Sequence, residues 1–238
     1  KVKLTGFSID ILDAIINLYQ ADIVVTSSDW ETINKALNDG EIHAIAGTHY
    51  PEAPDNKFIY TRSIINTSHC FLYNSNRIKR FSLETFRTIR NPKIAVYKNE
   101  VLIRYLWSIN PTIEFIFFDN YKDLIESLDR EDVYCAFAKR VGGIYFAEKY
   151  GKHYIEATDH RILERNMGLK ISKKYPELAK LINNGMEVIL ANGTYEKIYS
   201  KWIQKYDNPY MKWEKYLKIA LVIIIVILMF AFTISIFN

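Results

Sequence analysis

Three side chains able to hold a small molecule stand together at Thr48, His49 and Tyr50, directly after Gly47 and the strand-like run of residues 42–47. A hydroxyl, an imidazole and a phenol supply donors, acceptors and an aromatic face, and strand ends are where α/β folds usually take ligands. His49 also titrates near neutral pH, a candidate sensitivity weighed against the commonness of surface histidines. A second cluster, Lys139 and Arg140, follows the strand-like run of residues 133–138. Adjacent cations can clamp a carboxylate or a phosphate. They can equally be the solvated start of a helix, where the dipole disfavours them and exposure tolerates them. For catalysis only Glu100 and His49 offer an acid or base, and neither has a paired partner in the pattern, so an enzyme is not expected. Cys70 and Cys135 sit in apolar runs without metal-ligand spacing. They are expected to be inert core thiols, and no cofactor or metal is expected.

Alternating strands and helices must position these residues. Ile9, Leu12, Ile16 and Tyr19 recur at helical spacing, and residues 23–26 (IVVT) predict a short strand. Residues 30–37 predict a helix stopped by Asn38, Asp39 and Gly40, with Trp30 at its start read as packing. Pro51 and Pro54 then mark a loop before the extended run 67–74. From Pro92 the rhythm repeats, with KIAVY, EFIFF and VYCAFA as strands and residues 101–107, 121–128 and 141–149 as helices. An extended MGLKIS and two helices, 176–190 and 194–206, follow. The alternation predicts an α/β fold in two lobes with mostly parallel sheets.

Hydrophobic content of 49% with 17 Tyr and 13 Phe fits a packed body and excludes disorder. The net charge of +4 comes from scattered Lys and Arg, which gives no support to nucleic-acid binding. From Ile219 to Phe237 only Thr233 and Ser235 are polar. Such a run spans about 28 Å as a helix, enough to cross a bilayer. Lys212, Lys215 and Lys218 precede it, which taken alone would place the large segment in the cytoplasm.

Several stretches together resemble the bacterial extracellular solute-binding proteins of family 3. GFSIDILDAI is similar to the family's opening helix, and WETINKALNDGEIHAIAG to its Trp, Leu, Gly and strand sequence. MGLKISKKYPELAKLINNGMEVILANGTYEKIYSKWI is similar to its closing strand and helix pair. The resemblance implies a two-lobed, periplasmic-binding-protein-like (type II) fold followed by one transmembrane helix, with ligand held between lobes that close on it. Residues 1–72 and 166–206 would form lobe one, 73–165 lobe two, 207–216 a juxtamembrane linker and 217–237 the membrane helix. The crossings are expected near 70–75 and 163–168, and the first strand of lobe one is expected to precede Lys1. Asp10 is read as stabilising its helix N-terminus rather than as a ligand contact.

The cleft chemistry departs from the family's pattern. Pro54, within Pro51-Glu52-Ala53-Pro54, stands where the resemblance expects the arginine that pairs with a ligand carboxylate. Asn99-Glu100-Val101 replaces a Gly-Ser/Thr-Ser/Thr step, and Glu100 would repel that carboxylate. Lys139 replaces the aspartate that would hold the ligand's ammonium, a reversal of charge. The expected site is therefore Thr48, His49, Tyr50, Asn99, Glu100, Lys139 and Arg140, and the expected ligand a small solute other than an ordinary α-amino acid, with an anion as the candidate class. The resemblance implies the extracytoplasmic input domain of a single-pass cell-membrane receptor, with a homodimer through the membrane helix and a cytoplasmic output module as candidate partners. The alternative is the membrane-anchored receptor of an ABC importer.

Overall fold

The structure, a computed structural model, describes residues 4–51, 53, 55–98, 102–207, 217 and 219–225. The chain opens with α1 (Phe7–Tyr19), α2 (Trp30–Asp39), β1 (Ala44–His49), β2 (Phe58–Tyr60) and β3 (Ile65–Asn74). Next come α3 (Leu83–Thr88), β4 (Lys93–Tyr97), α4 (Ile103–Ile109), β5 (Glu114–Phe118), α5 (Tyr121–Asp129), β6 (Cys135–Lys139), α6 (Arg140–Lys149) and β7 (Ile155–Ala157). Then follow β8 (Ile162–Ser172), α7 (Pro176–Ala191), α8 (Thr194–Trp202) and α9 (Gln204–Asp207).

Local chemistry explains most boundaries. Asp29 caps α2 by accepting from the Thr32 amide at 2.9 Å, and Gly40 closes the helix in the left-handed region. Asn120 caps α5 in the same way through the Asp123 amide. In α1 the apolar positions Phe7, Ile11, Leu12 and Ile15 form one buried stripe. Gly185 lets α7 approach that stripe: a Cβ there would lie 2.6 Å from Ile15 Cγ2. The helices of the first lobe are further tied by Asp10, whose carboxylate accepts from Lys201 Nζ at 2.6 Å and Trp202 Nε1 at 2.7 Å. Asp10 is thus a structural lock between α1 and α8. Trp30 behaves otherwise than read: it is 55% exposed at the start of α2.

The strands run in the order β1-β8-β3-β6-β4-β5, with β2 also on β8 and β7 also on β3. Among the described strands only the β4–β5 and β4–β6 pairs are parallel; β1–β8, β2–β8, β3–β6, β3–β7 and β3–β8 are antiparallel. The expectation of mostly parallel sheets is therefore corrected. The two long strands β3 and β8 cross between lobes beside each other, and each turns its neighbours antiparallel. Residues 23–26 are not a strand either: no described strand pairs with them, and Val24 is 83% exposed. An extended run without a ladder leaves its backbone to water.

Two lobes result, each with its own core. The first gathers Ile11, Ile15, Ile64, Ile171, Ile182 and Met186. The second has a core on each sheet face, one around Leu72, Leu124 and Ala136, the other around Phe71, Phe86 and Phe137. Along β3 the change of core falls between Ile65 and Cys70. Both cysteines are fully buried, and burial pushes the Cys70 thiol up to about 12 and the Cys135 thiol higher still, so neither forms a thiolate at neutral pH.

Candidate functional site

The end of β1 is shaped by Gly47. Its φ of +79° makes it the extra residue between the pairs Ala46–Leu169 and Thr48–Gly168, a bulge that re-aims the following side chains. Thr48 is buried, and its hydroxyl donates to the Gly168 carbonyl at 3.3 Å. Tyr50 commits its hydroxyl to the Thr61 carbonyl at 2.5 Å and its amide to the Asn166 carbonyl. Of the three residues after Gly47, His49 keeps a polar atom in reserve: its Nδ1 is buried and makes no hydrogen bond among the described residues.

Register places His49 in company that spacing along the chain does not reveal. His49 pairs with Met167 of β8, and Arg165 lies two residues along on the same face. Arg165 pairs with Thr67 of β3, His69 follows on that face, and His69 pairs with Lys139 of β6. One basic residue from each of four adjacent strands thus lies on a single sheet face, in the order His49, Arg165, His69, Lys139, where the chain crosses between lobes. Arg165 is anchored by an Nη2–H donated to the Tyr50 carbonyl at 3.0 Å. The His69 ring is buried and stacked on Phe137 at 5.3 Å.

The electrostatics of His49 report the same grouping. Burial, followed by the charges of Lys139, Arg165 and His69, holds its imidazole down to about 4 from the usual 6.5. Below pH 6.5 the unfolded chain accepts a proton here that the folded chain refuses. The stabilisation is therefore complete above pH 6.5 and drains away as pH falls toward 4. The wild-type minus His49→Gln difference in unfolding free energy is expected to fall by about 2 kcal/mol between pH 7 and 4.5. Urea titrations of both proteins at the two pH values check this, and a constant difference would show that His49 titrates normally.

The other expected site residues divide. Lys139 is exposed at the end of β6, beside His49 and His69. Arg140 does not join it as a surface pair: it is 2% exposed, and its Nη1–H donates to the Thr158 carbonyl at 2.5 Å. It ties α6 to the connection between β7 and β8. Asn99 and Glu100 lie outside the described residues, as do Glu52, Pro54 and Val101. Arg165 and His69 escape a reading of the sequence, because only the cross-strand register of distant segments brings them to the site. Among the described residues no group of three or more His, Cys, Asp and Glu side chains could hold a metal. A separate cavity of about 300 Å³ opens between β3 and the β7–β8 connection, walled by Phe71, Tyr73, Phe81 and Ile162.

The two lobes with crossing strands and a site at the crossing are the arrangement of a binding-protein module, and the description of the bacterial extracellular solute-binding proteins, family 3, matches residues 1–205. The chain belongs to this family. It is a family of solute-binding proteins, typically without enzymatic activity. Among curated relatives, a putative ABC transporter arginine-binding protein 2 of Escherichia coli (strain K12) is 18% identical over 215 residues, covering 85% of this chain and 83% of the relative. Among solved structures, an ancestral cationic amino acid solute-binding protein is 20% identical with a TM-score of 0.72, covering 85% of this chain and 87% of that one. A histidine kinase sensor domain with similarity to periplasmic binding proteins is 17% identical with a TM-score of 0.69, covering 84% and 86%. At these identities the structures speak for the fold alone.

Proposed function

We propose that this solute-binding chain is the extracytoplasmic input module of a membrane-tethered receptor, with residues 1–72 and 166–206 as lobe one and 73–165 as lobe two. A small solute binds between the lobes, and their movement passes through 207–216 to a spanning helix at 217–237. The observation that carries this reading is how the chain leaves the lobes. Just before the linker, α9 is held to lobe two by an ion pair from Lys205 to Glu148 of α6 and by the Tyr206 ring set edge-on to Tyr145 at 5.8 Å. It is held to the segment leading into β8 as well, because Arg161, the residue before that strand, donates to the Asp207 carbonyl at 2.8 Å. Tyr199 of α8 donates to the Asp207 carboxylate at 2.6 Å. The exit segment therefore touches both lobes, and a change in their angle must strain or release it.

Among the described residues no helix is long and apolar enough to cross a membrane. Residues 219–225 are helical, aliphatic and exposed on every face, from 48% at Ile219 to 59% at Val222, a surface that suits lipid better than water. The remainder of the expected span, residues 226–237, lies outside the described residues. The kinase sensor domain with this fold supports a sensing role. The curated relatives named as arginine-binding proteins of ABC transporters support a second reading, an anchored receptor for an importer.

Oxidative cross-linking separates the two. In the full chain in membranes, Leu217→Cys is expected to link two copies, and the yield is expected to change several-fold when Glu148→Lys breaks the pair with Lys205. A yield indifferent to Glu148, or no link at all, would favour the importer receptor. The buried Cys70 and Cys135 will not compete.

A further inference from the structure

We propose that the cleft recognises a compact anion bearing two or more oxyanion charges, such as a dicarboxylate or a phosphate, along the row His49, Arg165, His69 and Lys139. This rests on the solute-binding reading of the crossing region and specifies its ligand. The row occupies four adjacent strands on one face, fixed by the pairs His49–Met167, Thr67–Arg165 and His69–Lys139. His49 stands level with Ile65 of β3 and Lys139 with His69, so three inter-strand steps of about 4.8 Å and an offset of about 13 Å along the strands put roughly 19 Å between the row's ends at the backbone, a diagonal that the long Arg165 and Lys139 side chains shorten toward anionic groups held between them.

Each member has something to offer. Arg165 spends one N–H on the Tyr50 carbonyl, and a guanidinium has five, so its planar fork can still meet an oxyanion. The buried Nδ1 of His49 makes no hydrogen bond among the described residues and can serve a ligand. His69 is buried and fixed by its stack on Phe137, so it needs no ordering on binding. Lys139 adds a positive charge at the end of β6, from the second lobe. Among the described residues, the groups whose charges act on His49 are Lys139, Arg165 and His69, so the field they set up on this face favours negative charge. A zwitterion would bring its ammonium into that field, and a cationic amino acid would bring its charged side chain as well.

Calorimetry on the full chain in detergent at low salt, with succinate, citrate, inorganic phosphate, arginine and glutamine as probes, tests the inference. At least one anion is expected to bind saturably and more tightly than either amino acid. Arg165→Gln and Lys139→Gln are each expected to weaken it about tenfold or more, and Lys197→Gln, at an exposed position on α8, to leave it unchanged. Tighter binding of arginine or glutamine than of every anion would overturn the anion inference while leaving the solute-binding reading intact. Anion binding unaffected by both cleft variants would also overturn it. Absence of binding by every probe would count against the inference and the reading beneath it.

Discussion

Phe71→Ala is expected to cost about 3–5 kcal/mol of stability, the largest loss from any single truncation in the second lobe. Phe71 is 1% exposed in the middle of β3, with ring centroids of Phe81 at 5.0 Å, Phe86 at 5.1 Å and Phe137 at 5.3 Å. Removing the ring forfeits its burial and three aromatic contacts, each worth about 0.5–1.5 kcal/mol beyond the area they cover. Its backbone cannot shift to fill the space, since its amide donates to Thr158 Oγ1 and its carbonyl accepts from the Thr158 amide. Against a total of about 5–15 kcal/mol for a typical domain, the loss is a large share. The effect reaches the cleft, because Phe137 is also the surface on which His69 is stacked. Urea unfolding followed by near-ultraviolet circular dichroism measures it, with Phe71→Leu expected to cost less than half as much. A loss under about 1 kcal/mol would mean that the cluster collapses onto the gap.

How much of this was readable depends on whether the deciding interaction is local. KIAVY and EFIFF coincide with β4 and β5, and α5 and α7 end within a residue or so of their pattern, because period and caps are written in neighbouring residues. Residues 23–26 look just as strand-like, yet a strand exists by pairing, and none of the described strands lies alongside. The direction of β3 and β8 is equally non-local. MGLKIS shows only the apolar end of β8, whose polar beginning, Ile162 to Asn166, pairs with β3 almost a hundred residues away. The change of core along β3 falls at Asn66-Thr67-Ser68-His69, a polar stretch between Ile65 and Cys70 that sequence alone does not distinguish from a loop before a strand.

The site follows the same division. His49 and Lys139 were legible because each ends a strand, and strand ends announce themselves. Arg165 sits in the polar stretch Glu164-Arg165-Asn166, which reads as surface, and His69 lies inside SHCFLY, which reads as core. Neither has a local signature, since their meaning comes from the register that aligns β1, β8, β3 and β6. Side-chain types also misled where the backbone claimed them. Tyr50 and Thr48 offer hydroxyls on paper, but both bond carbonyls of the crossing region, and Arg140 is drawn beneath the surface by Thr158.

Lys139→Asp is expected to abolish binding of a multiply charged anion, by a factor of a hundred or more, and to raise the titration midpoint of His49. Replacing a cation by an anion both removes an attraction and installs a repulsion, and close charge pairs in binding sites couple by about 1.5–7 kcal/mol. The consequence for His49 has an independent sign. Lys139 now helps hold that imidazole down to about 4, second only to burial, so a carboxylate in its place must stabilise the imidazolium and move the midpoint upward. Nuclear magnetic resonance titration of the imidazole signals, compared between Lys139→Asp and Lys139→Gln, separates loss of the positive charge from gain of the negative one. Neutralisation should give a partial rise and reversal a larger one. If neither substitution moves His49, the four basic residues do not share a field, and a cleft built around that field fails with them. If His49 moves and the anion still binds, the field is real but the ligand lies elsewhere. The same Lys139→Asp protein carries at residue 139 the carboxylate that the family resemblance expects there, so any new affinity for arginine would show that this one position governs which sign of charge the cleft accepts.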